Sequence, residues 1–435
     1  VTAAVHSSHG GAPVLVESSR ALPLVSITIA QRTGSIEDPA GKEGLSRATG
    51  RLVRRTGNGL TTEELDEKID SLGASLGVDV SHSTVTVHGA VIARSLDAFA
   101  DLLVGVLARP SLSEEELSKL KRETVAELVE ARDHDRELAQ RWFRERLFEG
   151  HPYARPVSGT PKTIASLTPS DVHHLYRTTY TAQNLVFAFA GDIDPERAHA
   201  IAERVVAALP PGAAREDTVP EPVMKPGRRL VIVDKPERTQ TQILIGCLGT
   251  EPHDPDHIAL HVGNTVFGGT FTARLMNEVR SKRGWSYGAY SNLPYDRRRR
   301  GFSLWTFPKA SDAAPCIALE LALLEKWWKD GVTAKELSWA KRYLVRSHAF
   351  AVDTAPKRVG QALEEEIYEL PARYHAEYLD RVEAVTLDEV NRAIRARITP
   401  EDLVITILGT RADIEGPVRD AIPNLASVDV VPFDS

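Results

Sequence analysis

The sequence predicts an α+β chain of two homologous domains, each a mostly antiparallel sheet covered by helices. Three observations predict it: an internal repeat late in each half, a shared strand–turn–strand opening, and a connector between the halves rich in Pro, Gly and charge. The repeat is the firmest of the three. LTPSDVHHLYRTTYTAQNLVFAFAGDID, from Leu167, aligns without a gap on VTLDEVNRAIRARITPEDLVITILGTRAD, from Val385, at a constant offset of 218 residues. That period is far longer than a solenoid unit, so it marks a duplicated domain.

The first half opens with VLVESSRALPLVSITIAQRTGS, from Val14, which reads as strand, polar turn, strand. LVIVDKPERTQTQILIGCLGT, from Leu230, reads the same way in the second half. Helices dominate the stretch after each opening. Over 113–148, Ser113 and Glu116 form a capping box and good helix formers continue with little interruption. In the repeated segments Thr168 and Thr386 stand at N-cap positions before amphipathic helices. Apolar strands come next, Leu185 to Ala190 and Leu403 to Leu408, and each ends in Gly. ALPPGAAREDTVPEPVMKPG, near 208–227, is the connector. The expected domains are therefore 1–210 and 228–435, joined by a linker over 211–227.

Composition narrows the function classes. Hydrophobic residues make up 42% and charged residues 26% of 435, enough for an ordinary buried core. The net charge of -7 offers no broad basic field for nucleic acid. The one dense basic run, residues 297–300, reads as a solvated hairpin turn. No apolar run approaches the roughly 18 residues that a membrane span needs. Cys247 and Cys316 make neither a disulfide framework nor a CxxC site.

Three stretches carry chemistry. GLSRATGRLVRRTG spans Gly44 to Gly57, ETVAELVEAR contains Glu127, and FGGTFTARLMNEVRSKRGWSYGAYS spans Phe267 to Ser291. With the duplication, they resemble the M16 (pitrilysin-type) zinc peptidases, specifically the M16B type with subunits of this length. The resemblance covers nearly the whole chain and implies the M16, LuxS-like fold. Active members carry HxxEH on the first long helix. Two His at i and i+4 share one face and one zinc, the Glu is general base on the metal-bound water, and a Glu about 76 residues on completes the ligands. Here the matching positions are Arg47, Gly50 and Arg51, with Glu127 at the distal position. Arginine is a cationic donor and cannot ligate zinc, and glycine offers no base. The resemblance thus implies a degenerate metal site, with Glu127 a remnant paired with Arg47 or Arg51.

The third stretch is intact. Arg280 and Tyr287 fall on the substrate-binding Arg and Tyr of the family, seven residues apart. Thr270 or Thr272 is expected to cap the helix carrying Arg280, and Gly284 to end it, so that Tyr287 begins a strand and both side chains converge. Such donors suit a scissile carbonyl that becomes an oxyanion.

What the resemblance implies is a non-catalytic subunit that positions peptide for an HxxEH-bearing M16B partner. The zinc would be the partner's, this chain would hold no cofactor, and it would hydrolyse peptides only within a heterodimer. The Gly268-Gly269 loop is shorter than in the mitochondrial non-catalytic subunit, which favours the bacterial kind. A catalytically silent assembly protein, like the core subunits of the respiratory bc1 complex, is the alternative. The chain starts at Val1 rather than Met, so a removed export signal and a bacterial periplasmic location are expected, with the cytoplasm as the other option. Two further features carry less. His257 and His261 have a spacing that permits a shared metal, but Leu260 stands where a Glu would be, so a packed helix face is expected. Trp327-Trp328 read as a helix end with one ring packed inward.

Overall fold

The computed structural model describes residues 4–7, 11–213 and 216–435; residues 214–215 of the expected linker lie outside them. Strands β1 (Ala4–Ser7), β2 (Pro13–Ser18), β3 (Leu24–Gln31), β4 (Ser75–Val80), β5 (Val85–Ile92) and β6 (Leu185–Gly191) form one sheet, in the order β1-β2-β6-β3-β5-β4. Strands β7 (Arg228–Asp234), β8 (Gln242–Leu248), β9 (Ala289–Asn292), β10 (Gly301–Thr306), β11 (Leu403–Gly409) and β12 (Leu425–Pro432) form the other, in the order β12-β7-β11-β8-β10-β9. Five strands of one sheet have counterparts at the same place in the other. The sixth differs: β1 lies antiparallel to β2, whereas β12 lies parallel to β7. The other parallel pairs are β2–β6 and β7–β11, so both sheets are mostly antiparallel.

The repeated segments fold alike at the local level. Thr168 and Thr386 cap the helices Pro169–Thr179 and Leu387–Arg397, each in a capping box, with Asp171 and Glu389. The strands after them, β6 and β11, sit at the centre of their sheets and are almost wholly buried. In β6 the two faces differ in size. Leu185, Phe187 and Phe189 enter the main helical core of the first sheet. Val186, Ala188 and Ala190 point the other way, to a smaller cluster.

The helices that bear on the site and on the division into units are α1 (Leu45–Arg55), α2 (Glu114–Glu130), α3 (Asp135–Leu147), α4 (His257–Phe267), α5 (Ala310–Asp330), α6 (Ala334–Ser347) and α7 (Ala355–Ile367). Two of them depart from the contiguous domains read from the sequence. One compact unit runs to Leu128 and then takes in Arg155–Val219 and Ala349–Ala376; the other is Val129–Ala154, Pro220–His348 and Glu377–Ser435. Helix α7, late in the chain, therefore covers the first sheet. Its Ala355, Val359 and Ile367 pack on Leu15, Ala30 and the small residues of β6. The Arg358 guanidinium donates to Glu17, and Arg32 pairs with Glu366 at 2.6 Å. Helix α3, early in the chain, packs on β8 and β11 of the second sheet. Glycine at 246 and 301 makes that approach close: a Cβ on Gly301 would lie 2.5 Å from Leu147, and one on Gly246 2.9 Å from the Phe143 ring. Buried Lys235 ties the start of α3 to β7, donating to Asp135 and to the Arg132 carbonyl, both at 2.6 Å.

The basic run at 297–300 joins β9 to β10 but is not a freely solvated turn. Arg298 pairs with Glu221 at 3.3 Å, Arg299 donates to the Pro222 carbonyl, and Arg300 lies 4.4 Å over the Tyr153 ring. Its charges hold the second half of the connector, from Pro220 on, within the second unit. Among the described residues no helix is long and apolar enough to cross a membrane.

Candidate functional site

Helix α1 starts at Gly44, whose φ of 94° lies in the left-handed region. Asp38 satisfies the first turn, accepting from the Gly44 and Ser46 amides at 2.9 Å and from the Ser46 hydroxyl at 2.6 Å. Burial pushes the Asp38 carboxyl up to about 6, against the pull of those donors. Leu45, Ala48, Leu52 and Val53 face the core. Arg47, Arg51 and Arg55, four residues apart, form a second face turned toward α2.

On that face lies an alternating ladder of charge. Glu127 accepts from Arg47 at 3.1 Å and from both terminal nitrogens of Arg51 at 2.9 and 2.7 Å. Arg51 also reaches the Thr124 hydroxyl, and Glu123 sits between Arg51 and Arg55. Burial opposes ionisation of Glu127, but the hydrogen bonds and charges of Arg51 and then Arg47 outweigh it and hold the carboxyl below its usual range. The donor set is one carboxylate and two guanidinium groups, which does not fit zinc: the cations would repel it and the carboxylate is already engaged. Gly50 is turned toward the sheet, where a Cβ would lie 2.9 Å from Val78 and 3.4 Å from Val85. Any side chain there would press its Cβ against Val78.

The Arg280 region departs from the expected helix. A single turn, Arg274–Met276, runs straight into a π-helical turn, Asn277–Ser281, and Arg280 lies in the latter. Such turns are often found at functional sites because the extra residue re-aims side chains. Neither Thr270 nor Thr272 supplies the side-chain cap. The N-cap is Ala273, and the Asn277 side-chain amide donates back to the Thr272 carbonyl. Gly284, with φ +67°, ends the turn, and Tyr287 precedes β9 by two residues instead of opening it.

Arg280 has no carboxylate partner among the described residues. Its guanidinium lies 4.5 Å over the ring of Phe271. Phe271 is itself 60% exposed and Tyr287 79% exposed, unusual for large aromatics on a folded surface. Phe271 belongs to this surface by contact, a part that the Arg/Tyr motif alone does not reveal. Arg280 and Tyr287 share no hydrogen bond. Around them the backbone is firmly set: the Ser286 hydroxyl donates to the Gly288 carbonyl and accepts from the Phe307 amide.

On α4, His257 is buried and His261 partly buried, and they turn to different partners, the Thr250 hydroxyl at 2.9 Å and the Tyr378 hydroxyl at 3.1 Å. Burial lowers His257 to about 3, helped by the charge of His261, and lowers His261 to about 4. They are neutral core histidines. Among the described residues no group of three or more His, Cys, Asp or Glu side chains is arranged to hold a metal. Trp327 is fully buried and stacks on Phe267 at 4.5 Å, while Trp328 at the same helix end stays at the surface.

A duplicated α+β chain with arginines at the histidine positions of one repeat, and in the other an Arg280 without a carboxylate partner and an exposed Tyr287, describes a peptidase scaffold that lacks its metal-binding histidines. Residues 13–161 match the family model described as insulinase (peptidase family M16), and residues 166–344 match the one described as the peptidase M16 inactive domain. The chain belongs to the M16 peptidase family, and the inactive-domain description applies to its residues 166–344. It is similar to the non-peptidase homolog YmxG of Helicobacter pylori, 22% identical over 92% of each chain. It is also similar to an uncharacterized zinc protease of Mycobacterium tuberculosis, 25% identical over 89% of this chain and 88% of that one. Among solved structures, a peptidase M16 inactive domain from Pseudomonas fluorescens superposes with a TM-score of 0.87 at 27% identity, covering 94% of this chain and 98% of that one.

Proposed function

We propose that the chain is the non-catalytic subunit of a zinc metallopeptidase heterodimer, holding peptide at Arg280 and Tyr287 while an HxxEH-bearing M16 partner cuts it. One observation carries this reading. The arginines at the metal position are neutralised by Glu127, whereas Arg280 is left without a carboxylate on an exposed aromatic surface. A guanidinium kept open in this way suits a ligand's carbonyl or a developing oxyanion better than an internal ion pair.

In the reaction, the partner's zinc would polarise the scissile carbonyl and activate water. Arg280 donates to the peptide carbonyl, with Phe271 beneath it limiting where the guanidinium can swing. Tyr287 supplies a hydroxyl donor. One such donor is worth roughly a hundredfold in turnover.

The test is reconstitution. The purified chain alone is expected to retain no zinc by elemental analysis and to cleave no casein or labelled peptide. Cleavage is expected once an HxxEH relative from the same source is added. In that complex Arg280→Ala and Tyr287→Phe should each lower kcat by about a hundredfold. Wild-type turnover in both variants, or robust cleavage by the chain alone, overturns the assignment.

A further inference from the structure

Beside the Arg280 turn, the second unit has a cleft of about 550 Å³ between the end of α4, the residues around Asn277 and the start of α6. We propose that this cleft is a subsite for an acidic side chain of the peptide held at Arg280 and Tyr287. The proposal rests on the peptide-binding role of that pair.

Three features point to an acidic occupant. The first is charge. Arg274 in the cleft wall is consumed by Glu336 through two 2.7 Å hydrogen bonds. Burial opposes ionisation of Glu336, but Arg274 and the Thr333 cap hold that carboxyl down to about 2, so the pair is locked. Lys335 and Arg342, also in the wall, have no ion-pair partner among the described residues. The second is shape. Trp339 lines the cleft and stacks on Tyr343 at 5.8 Å, giving a rigid apolar side against which an aliphatic stem can lie. The third is continuity. Asn277 lines the cleft from the same π-helical turn that carries Arg280, and Thr272 lines it next to Phe271, the ring beneath Arg280.

The duplication supplies an internal control. The first unit has a cleft of about 420 Å³ at the matching place, between the end of α1 and the start of α2. There the wall is acidic: Glu63, Glu115, Glu116 and Glu123 outnumber Arg55 and Lys119, and both cations are already paired. One architectural position therefore carries opposite signs in the two repeats, and the cation-lined copy is the one next to Arg280.

The test is fluorescence anisotropy on the full chain with pairs of labelled nonapeptides that differ only by Glu against Gln at one position. A scan of that position along the peptide should find a register at which the Glu peptide binds roughly fivefold tighter, the size of one partly exposed ion pair. Arg342→Ala with Lys335→Ala should abolish that difference, lowering the affinity of the Glu peptide to that of the Gln peptide. Arg342→Glu should reverse it toward a Lys peptide. Arg280→Ala should weaken Glu and Gln peptides alike. Equal affinity for Glu and Gln peptides at every register, or a preference that survives the double alanine variant, overturns the cleft assignment. Undiminished binding of both peptides to Arg280→Ala overturns the underlying peptide-holding role instead. Absence of measurable binding by the full chain overturns both.

Discussion

Replacing Glu320 by Gln is expected to change how stability depends on pH by several kcal/mol. Glu320 lies on α5 with 1% of its surface exposed, and neither carboxyl oxygen has a hydrogen-bond partner. Cys316 is buried one turn away, and Trp327 stacks on Phe267 two turns on. Burial alone pushes the Glu320 carboxyl up to about 8, so it is protonated in the folded protein at neutral pH. The unfolded chain releases that proton near pH 4.5. Between pH 4.5 and 8 the folded state therefore binds more protons than the unfolded one, and stability falls as pH rises. The slope is about 1.4 kcal/mol per pH unit and the total is on the order of 5 kcal/mol, with no further loss above pH 8. Glutamine cannot ionise, so the difference between variant and wild type isolates this one group. Urea midpoints at pH 5, 7 and 9 should show the wild type losing ground to Glu320→Gln as pH rises. Parallel curves for the two proteins would refute the argument.

Other outcomes are expected at the metal position and in the core. Arg47→His with Arg51→His should give the chain one Zn²⁺ by elemental analysis, because Glu127 is freed for it, yet no hydrolysis, because Gly50 supplies no base. A double variant that stays metal-free at micromolar zinc would count against Glu127 as the distal ligand. Gly50→Glu should cost about 2 kcal/mol by thermal unfolding, since even its Cβ crowds Val78 and Val85; an unchanged melting temperature would show that the helix can shift. His257 and His261 stay neutral in the fold but protonate near pH 6.5 when unfolded. The stability they hold above pH 6.5 is lost as pH falls toward 4, and His261→Phe should blunt that loss in denaturant titrations.

Much of the fold was legible because it rests on local pattern. The 218-residue offset located the starts of two helices and two central strands, since capping threonines and continuous apolar runs encode them directly; each strand extends one residue further, into its closing glycine. The Arg47–Glu127–Arg51 contact could be reached by counting along a family motif. The exchange of α3 and α7 could not. Amphipathic periodicity says that a helix has a buried face but not which sheet receives it, and only the small residues at Val186, Ala188 and Ala190 hint that β6 needs a cover on its second side. The π-helical turn at Arg280 was hidden for a similar reason. NEVRS reads as ordinary helix, and its residue spacing carries no mark of the wider turn. Phe271 has the sequence surroundings of a turn residue, and only the fold brings its ring beneath Arg280.

The traded helices also set the order in which the molecule can be built. During synthesis the first sheet has all its strands once Gly191 has emerged, but it waits with one oily side bare until α7 leaves the ribosome, long after the connector has passed. The second sheet has the opposite history, because its early cover α3 is made before any strand it will sit on. A gene cut at the connector would thus encode two fragments, each missing a lid and carrying a spare one. Neither could serve as a ready-made single-repeat protein, so the tandem copy can no longer be divided where its sequence repeats.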